Sequence, residues 1–129
     1  MEPFLSYTME NSESGFEALF CMPENISRAE NYFTEQRELD AFQAHHQTGT
    51  AIAVLKNMWV EEGERGQGIG SELLSEFFDK VDEHGLKAVY LIADTGEDND
   101  FDIVSWYESN GFRKLTPKEE FPLMCRMMT

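Results

Sequence analysis

Three alternating glycines, Gly66, Gly68 and Gly70, lie in the segment EEGERGQGIGSELLSEFF, with Arg65 before them and an amphipathic run after them. Glycine allows a backbone to approach a ligand closely. The amide groups at a helix N-terminus also direct partial positive charge towards an anion. Glycines between a strand and a helix therefore predict a loop that binds phosphate.

Two common phosphate-binding motifs do not match this loop. The spacing of a P-loop begins at Gly63, but an Ile-Gly pair stands where that motif requires Lys and Ser or Thr. The dinucleotide-binding motif G-x-G-x-x-G requires a glycine where Ser71 stands. The loop instead follows the pattern R-x-x-G-x-G over residues 65–70.

A second motif lies downstream, in the segment WYESNGFRKL, where Tyr107, Gly111 and Phe112 match the pattern Y-x-x-x-G-F. These two motifs, in this order and with a helix and a strand between them, resemble the GNAT N-acetyltransferase superfamily over residues 52–115. In that family R-x-x-G-x-G binds the pyrophosphate of acetyl-CoA. The resemblance implies an α/β (α+β) fold with a mixed central sheet flanked by helices, and acetyl-CoA as acyl donor without a metal.

The resemblance also implies roles for individual residues. The strand ending at Val60 and the next strand would separate at their ends, so that the main chain of Met58 and Val60 binds the pantetheine arm and a nearby N–H stabilises the acetyl oxygen. Tyr107 would be the general acid that protonates the leaving thiolate. The predicted cofactor-binding residues are Met58, Val60, Arg65, Gly66, Gln67, Gly68, Ile69, Gly70 and Ser71.

The sequence leaves two further roles open. Glu61, Glu62 and Asp94 follow predicted strands closely, and each is a candidate for the general base. Arg65 and Lys80 are both candidates for binding the 3′-phosphate of CoA.

The histidines and cysteines do not predict a metal site. His45 and His46 are adjacent, and neighbouring residues diverge by about 100° on a helix, so they form a poor chelating pair. Cys21 and Cys125 lie at opposite ends of the chain without a C-x-x-C motif. We expect two reduced, buried thiols and a cytoplasmic protein.

Hydrophobic periodicity indicates which elements position these motifs. It predicts strands over residues 3–9, 16–22, 50–60, 87–93, 112–115 and 121–128, and helices over residues 25–46, 68–84 and 101–109. Ser27 and Glu30 form a capping-box pattern at the start of the first helix. The order predicts a parallel pair of strands at the centre of one domain, residues 1–129. Relative to the family that the chain resembles, the N-terminal half is expected to be short or rearranged.

Composition limits the partners. The chain has 10 Lys and Arg against 25 Asp and Glu, a net charge of −15, which excludes general nucleic-acid binding because phosphates require basic clusters. The acidity favours a cationic amine or a basic protein as acceptor. No apolar run reaches the roughly 20 residues of a membrane span, and no signal-peptide pattern is visible.

Two functional classes remain. The first is an N-acetyltransferase acting on a primary amine. The second is a non-catalytic domain that binds acyl-CoA or a basic partner through the same fold. The glycine loop and Tyr107 together favour the enzyme. By analogy with the family, a homodimer formed through the C-terminal strand is also an expectation.

Overall fold

The computed structural model describes residues 4–9, 12–61, 63, 68–93 and 102–128. Ten helices and strands follow one another in these segments. In chain order they are β1 (Phe4–Thr8), β2 (Gly15–Cys21), α1 (Ser27–Tyr32), α2 (Gln36–His45), β3 (Ile52–Trp59), α3 (Ile69–Glu83), β4 (Ala88–Ile92), α4 (Ile103–Ser109), β5 (Arg113–Lys114) and β6 (Leu123–Met127).

The six described strands form one mixed sheet in the order β1-β2-β3-β4-β6-β5. β3 and β4 pair in parallel, and every other neighbouring pair is antiparallel. The predicted mixed sheet with a parallel pair at its centre is therefore confirmed. The predicted strands, and the helices over 68–84 and 101–109, agree with the observed ones to within two residues.

Helices cover both faces of the sheet. On one face α3 and α4 enclose a core that includes Leu73, Phe77 and Tyr107. On the other face α1 and α2 enclose a second core that includes Phe42 and Tyr90. β4 lies between the two cores and is buried along most of its length, which explains why its sequence is almost continuously apolar.

The predicted single helix over residues 25–46 is wrong, because the chain forms α1 and α2 with a break at Phe33, whose backbone is extended. In one straight helix Phe33 and Phe42 would lie about 13 Å apart along the axis. Instead their ring centroids are 5.1 Å apart, because the chain turns so that both rings enter the second core. The capping box does not form either: Ser27 is the first helical residue and Ile26 precedes it.

A β-bulge interrupts the pairing of β3 with β2. The described parallel pairing of β3 with β4 covers Ala53 to Leu55 of β3. The register between β2 and β3 then shifts, so that Lys56 is an extra residue opposite the Glu17–Ala18 step. A bulge bends its strand and increases the local twist. The separation of the two central strands beyond this point stays a prediction, because residues 94–100 lie outside the described residues.

Candidate functional site

The first turn of α3 presents backbone amides that could bind an anion. Gly68, which has no side chain that could cap the helix, precedes it with a left-handed backbone, φ 77°. A Cβ at Gly68 would meet nothing within 4 Å, so the backbone conformation rather than crowding favours glycine there. The first backbone bond within the helix is Glu72 N–H to the Gly68 carbonyl at 3.1 Å. The preceding amides, of Ile69, Gly70 and Ser71, are therefore donors without a helical acceptor.

Gly70 brings three elements together. A Cβ on this residue would lie 3.8 Å from Val60 Cγ2, just beyond β3, and 3.6 Å from Trp106 Cζ2 in α4. These are ordinary contact distances, so alanine would fit and a larger side chain would displace its neighbours. The start of α3 thus packs directly against the end of β3 and against the helix that carries Tyr107.

Met58 and Val60, the residues predicted to bind the pantetheine arm, lie at the end of β3 and just beyond it. Met58 pairs with Phe16 across β2, and the side chains of Met58 and Val60 pack against the first core. Their side chains therefore have a packing role, and a ligand contact would use the main chain. Tyr32, which sequence reasoning missed, donates its hydroxyl to the Lys56 carbonyl at the bulge, at 3.4 Å.

Tyr107 is a buried phenol. The residue is 6% exposed, and its ring lies edge-on to Phe112 at 5.4 Å between centroids. Among the described residues its hydroxyl has no hydrogen-bond partner. Burial raises the pKa of Tyr107 to about 12. Tyr107 is therefore protonated at neutral pH and can act as an acid.

Asp102 fixes the start of α4, a role that sequence reasoning also missed. Its carboxylate accepts hydrogen bonds from the Ser105 N–H at 3.0 Å and from the Ser105 hydroxyl at 2.7 Å. These bonds lower the pKa of Asp102. An Asp three residues before a Ser ahead of an apolar run is the sequence signal for this cap.

The structure describes only some of the other residues that were predicted to bind CoA or to act as the general base. Arg65, Gly66, Gln67, Glu62 and Asp94 lie outside the described residues. Glu61 is half-buried, next to Val60. Lys80 lies about 16 Å along α3 from its first residue, with its ammonium 5.4 Å from the Tyr7 ring centroid. The predicted role of Lys80 at the 3′-phosphate of CoA stays a prediction.

On the opposite face, α2 and the β5–β6 loop are joined near the carboxyl end of β4. Arg37 in the first turn of α2 forms a salt bridge with Glu119 in the β5–β6 loop, 3.0 Å between Nε and Oε2. The same loop bonds to the residue after β4, from the Ala93 N–H to the Pro122 carbonyl at 2.9 Å. Burial, and then the neighbouring carboxylates of Glu35 and Glu119, raise the pKa of Glu38. The first turn of α2 therefore lies among acidic groups.

The His45 ring takes part in a hydrogen-bonded chain. Nδ1 lies 2.7 Å from the Tyr90 hydroxyl, and Nε2 lies 3.0 Å from Arg113 Nη2. A guanidinium only donates, so Nε2 accepts and Nδ1 carries the proton. Burial, then Arg113 and His46, lower the pKa of His45. Both nitrogens thus have a protein partner, and no group of His, Cys, Asp and Glu in the described segments could hold a metal ion.

Both cysteines are buried and free, as predicted. Burial raises the pKa of Cys125 to about 11 and also raises the pKa of Cys21. Within the described ranges, none of the helices combines the length and apolar character needed to cross a membrane.

Comparison with known proteins agrees with this geometry. The family model described as "Acetyltransferase (GNAT) domain" matches residues 29–114. No curated protein matches the chain significantly.

Solved structures share the fold at low identity. An acetyltransferase from Bacillus cereus superimposes with a TM-score of 0.59 at 15% identity, covering 97% of this chain and 73% of the other. A GNAT-family acetyltransferase from Staphylococcus aureus has a TM-score of 0.58 at 16% identity, with coverages of 98% and 68%. The NatC complex bound to Gag peptide and CoA contains a chain with a TM-score of 0.58 at 12% identity, with coverages of 96% and 69%.

Proposed function

The chain belongs to the GNAT acetyltransferase family, and we propose that it transfers an acetyl group from acetyl-CoA to a primary amine. The observation that carries this proposal is the first turn of α3, whose amides have no helical acceptor and which adjoins the end of β3 just beyond the bulge. Donors for a pyrophosphate and the predicted pantetheine-binding end of β3 therefore lie side by side.

The first turn of α3 and the end of β3 fit two parts of acetyl-CoA, its pyrophosphate and its pantetheine arm. The amides of Ile69, Gly70 and Ser71 would bind the pyrophosphate, together with residues 65–67 of the loop. The main chain of Met58 and Val60, at the end of β3, would pair with the amide-rich pantetheine arm. A main-chain N–H there would stabilise the charge that develops on the acetyl oxygen.

The transfer needs one acid and one base. The neutral amine attacks the acetyl carbon, a C–N bond forms and the C–S bond breaks. Tyr107 gives its proton to the leaving sulfur, and a carboxylate accepts the proton of the amine. Glu61 is the described candidate for that base, with Glu62 and Asp94 as the alternatives. A positioned acid or base contributes about 10²–10⁴-fold to such a rate.

The acceptor is proposed to be cationic, either a small amine or an amine of a basic protein. The net charge of −15 and the carboxylates around the first turn of α2 support this proposal, because an acidic surface raises the local concentration of cations. We place this chemistry in the cytoplasm, where acetyl-CoA is made available to enzymes and free thiols stay reduced.

Calorimetric titration with acetyl-CoA tests the proposal, using a matched pair of glycine variants. Gly68 and Gly49 both have left-handed backbones, φ 77° and 89°, and a Cβ on either would meet nothing within 4 Å. Gly68→Glu and Gly49→Glu therefore introduce the same charge and similar strain at two places. We expect Gly68→Glu to abolish binding and Gly49→Glu to retain it.

Two results would contradict the proposal. A folded wild-type protein that does not bind acetyl-CoA excludes the donor. Equal binding by Gly68→Glu and wild type excludes the N-terminus of α3 as the pyrophosphate site. Binding without acetyl transfer to any primary amine would instead favour the non-catalytic acyl-CoA-binding domain.

A further inference from the structure

Ser14, which is distant in sequence from the glycine loop, contacts the backbone just before that loop. It is fully buried and lies in the turn between β1 and β2. Its Oγ accepts a hydrogen bond from the backbone N–H of Glu61 at 2.8 Å, across 47 residues. Glu61 directly follows Val60, whose main chain is part of the proposed pantetheine site.

The Glu61 N–H needs this partner because the β2–β3 ladder has already ended. The last pair of that ladder is Gly15 with Trp59. A buried N–H without an acceptor is costly, and a hydroxyl buried without a partner is costly as well. The hydrogen bond between the Ser14 hydroxyl and the Glu61 N–H gives each of these two groups a partner. It also extends the attachment of β3 to β2 beyond the backbone pairing.

A second contact from the same turn holds Trp59. The indole N–H of Trp59 donates to the Glu13 carbonyl. A Cβ at Gly15 would overlap the Tyr7 carbonyl oxygen and would lie 3.0 Å from Trp59 Cζ2. Glycine is therefore required at position 15, and its absence of a side chain lets the indole ring lie against the turn.

The turn that makes these contacts is itself fixed by hydrogen bonds. The Met9 N–H donates to the Ser14 carbonyl at 2.9 Å, and the Ser12 N–H donates to the Met9 carbonyl at 3.2 Å. The Ser14 N–H donates to the Ser12 hydroxyl at 2.9 Å. The Ser14 hydroxyl is thus held in one place and can define the position of Glu61.

We propose that the β1–β2 turn sets the direction in which the end of β3 leaves the sheet, and that Ser14 is a positioning residue for acyl-CoA binding. This inference rests on the proposed function. The described pairing of β3 with β4 covers Ala53 to Leu55, whereas its attachment to β2 continues to Trp59 and, through Ser14, to Glu61. This attachment therefore helps to set where the Val60 main chain and the residues after it lie. Without the Ser14 hydroxyl, fewer molecules hold the binding-competent geometry, and the apparent Kd rises in proportion.

Ser14→Ala tests this inference against a matched control. Thr116 Oγ1 accepts a hydrogen bond from the Leu123 N–H, also at 2.8 Å, in the β5–β6 loop. Thr116→Val therefore removes the same kind of bond elsewhere. We expect both variants to lower the urea midpoint of unfolding. Calorimetry should show a Kd for acetyl-CoA about tenfold higher in Ser14→Ala, which corresponds to about 1.4 kcal/mol, and an unchanged Kd in Thr116→Val.

Two further variants complete the test. Ser14→Thr keeps the hydroxyl and should restore most of the affinity, whereas a loss of packing alone would not be restored. If Ser14→Ala does not fold, Trp59→Phe removes the donor to the Glu13 carbonyl and should also weaken acetyl-CoA binding. The KM for acetyl-CoA should rise in both weakened variants while kcat changes little.

The outcomes separate the two proposals. If wild type binds acetyl-CoA and Ser14→Ala, or Trp59→Phe in its place, binds it equally tightly, the positioning role is wrong and the proposed function stands. If the Thr116→Val control weakens binding as much as Ser14→Ala, the effect is general loss of stability and the positioning role is again wrong. If folded wild type does not bind acetyl-CoA, the proposed function is wrong and this inference fails with it.

Discussion

Tyr107→Phe should separate catalysis from stability in this protein. The hydroxyl of Tyr107 has no hydrogen-bond partner among the described residues, so its removal leaves no buried group unpaired. The ring contacts with Trp106 and Phe112 remain. We therefore expect the free energy of unfolding to change by less than about 0.5 kcal/mol.

The rate should change far more. A general acid contributes about 10²–10⁴-fold, which is about 3–5 kcal/mol of activation free energy. Because burial raises the pKa of Tyr107 to about 12, the phenol keeps its proton at every pH at which the enzyme is assayed. The loss of kcat should therefore be equally large at pH 7 and at pH 9, and the Kd for acetyl-CoA should not change.

Tyr90→Phe is the matched control. Tyr90 is also buried, at 1% exposure, but its hydroxyl lies 2.7 Å from His45 Nδ1 in the second core. Removing this hydroxyl leaves the His45 N–H without its partner, which should cost about 1–3 kcal/mol of stability. The rate of acetyl transfer should change little, because Tyr90 lies on the face opposite Tyr107.

Stopped assays of CoA thiol release, with a panel of primary amines as acceptors, measure kcat, and urea unfolding measures stability. The reasoning is refuted if Tyr107→Phe retains more than about a tenth of the wild-type kcat, since a general acid contributes more than that. It is equally refuted if Tyr90→Phe lowers kcat as much as Tyr107→Phe does.

Two further predictions concern stability. The pKa of His45 is lowered in the folded state, so the unfolded chain binds a proton more tightly, and stability should fall as the pH drops below 6.5, the ordinary value for histidine. Urea midpoints measured between pH 7.5 and 5 should fall in wild type and in the control variant His84→Asn. The midpoint of His45→Asn should fall less steeply with pH. Equal pH dependence of the midpoint in all three proteins would contradict this prediction. Gly111 has φ 92°, and its Cβ would lie 3.1 Å from Arg126 Nε. Gly111→Ala should therefore lower the free energy of unfolding by at least about 1 kcal/mol, measured by urea denaturation, and an unchanged midpoint would exclude the strain.

Local patterns determined most of the fold from the sequence alone. An almost continuously apolar run predicted that β4 is buried on both faces, and the order of strands and helices predicted the parallel pair. Glycines predicted the ends of α3 and α4, where Gly85 and Gly111 have left-handed backbones. These features depend on residues that are close in the chain, so periodicity and turn chemistry are sufficient to reveal them.

The glycine loop and Tyr107 were also visible in the sequence, because each belongs to a short motif. Their mutual placement was not, since the distances from Gly70 to Val60 and to Trp106 arise only when β3, α3 and α4 pack together. The sequence likewise gave no sign that Lys80 lies over the Tyr7 ring.

Only the tertiary structure decided the contacts between distant residues. The break between α1 and α2 depends on the packing of Phe33 and Phe42 in the second core. The hydrogen bond from the Glu61 N–H to the Ser14 hydroxyl spans 47 residues, and the contact between His45 and Arg113 spans 68. Hydrophobic periodicity indicates that a residue is removed from water, but it does not identify the neighbours against which the residue packs. For this reason the sequence predicted a chemistry for the site, while the folded chain determined which residues pack around the residues of that prediction.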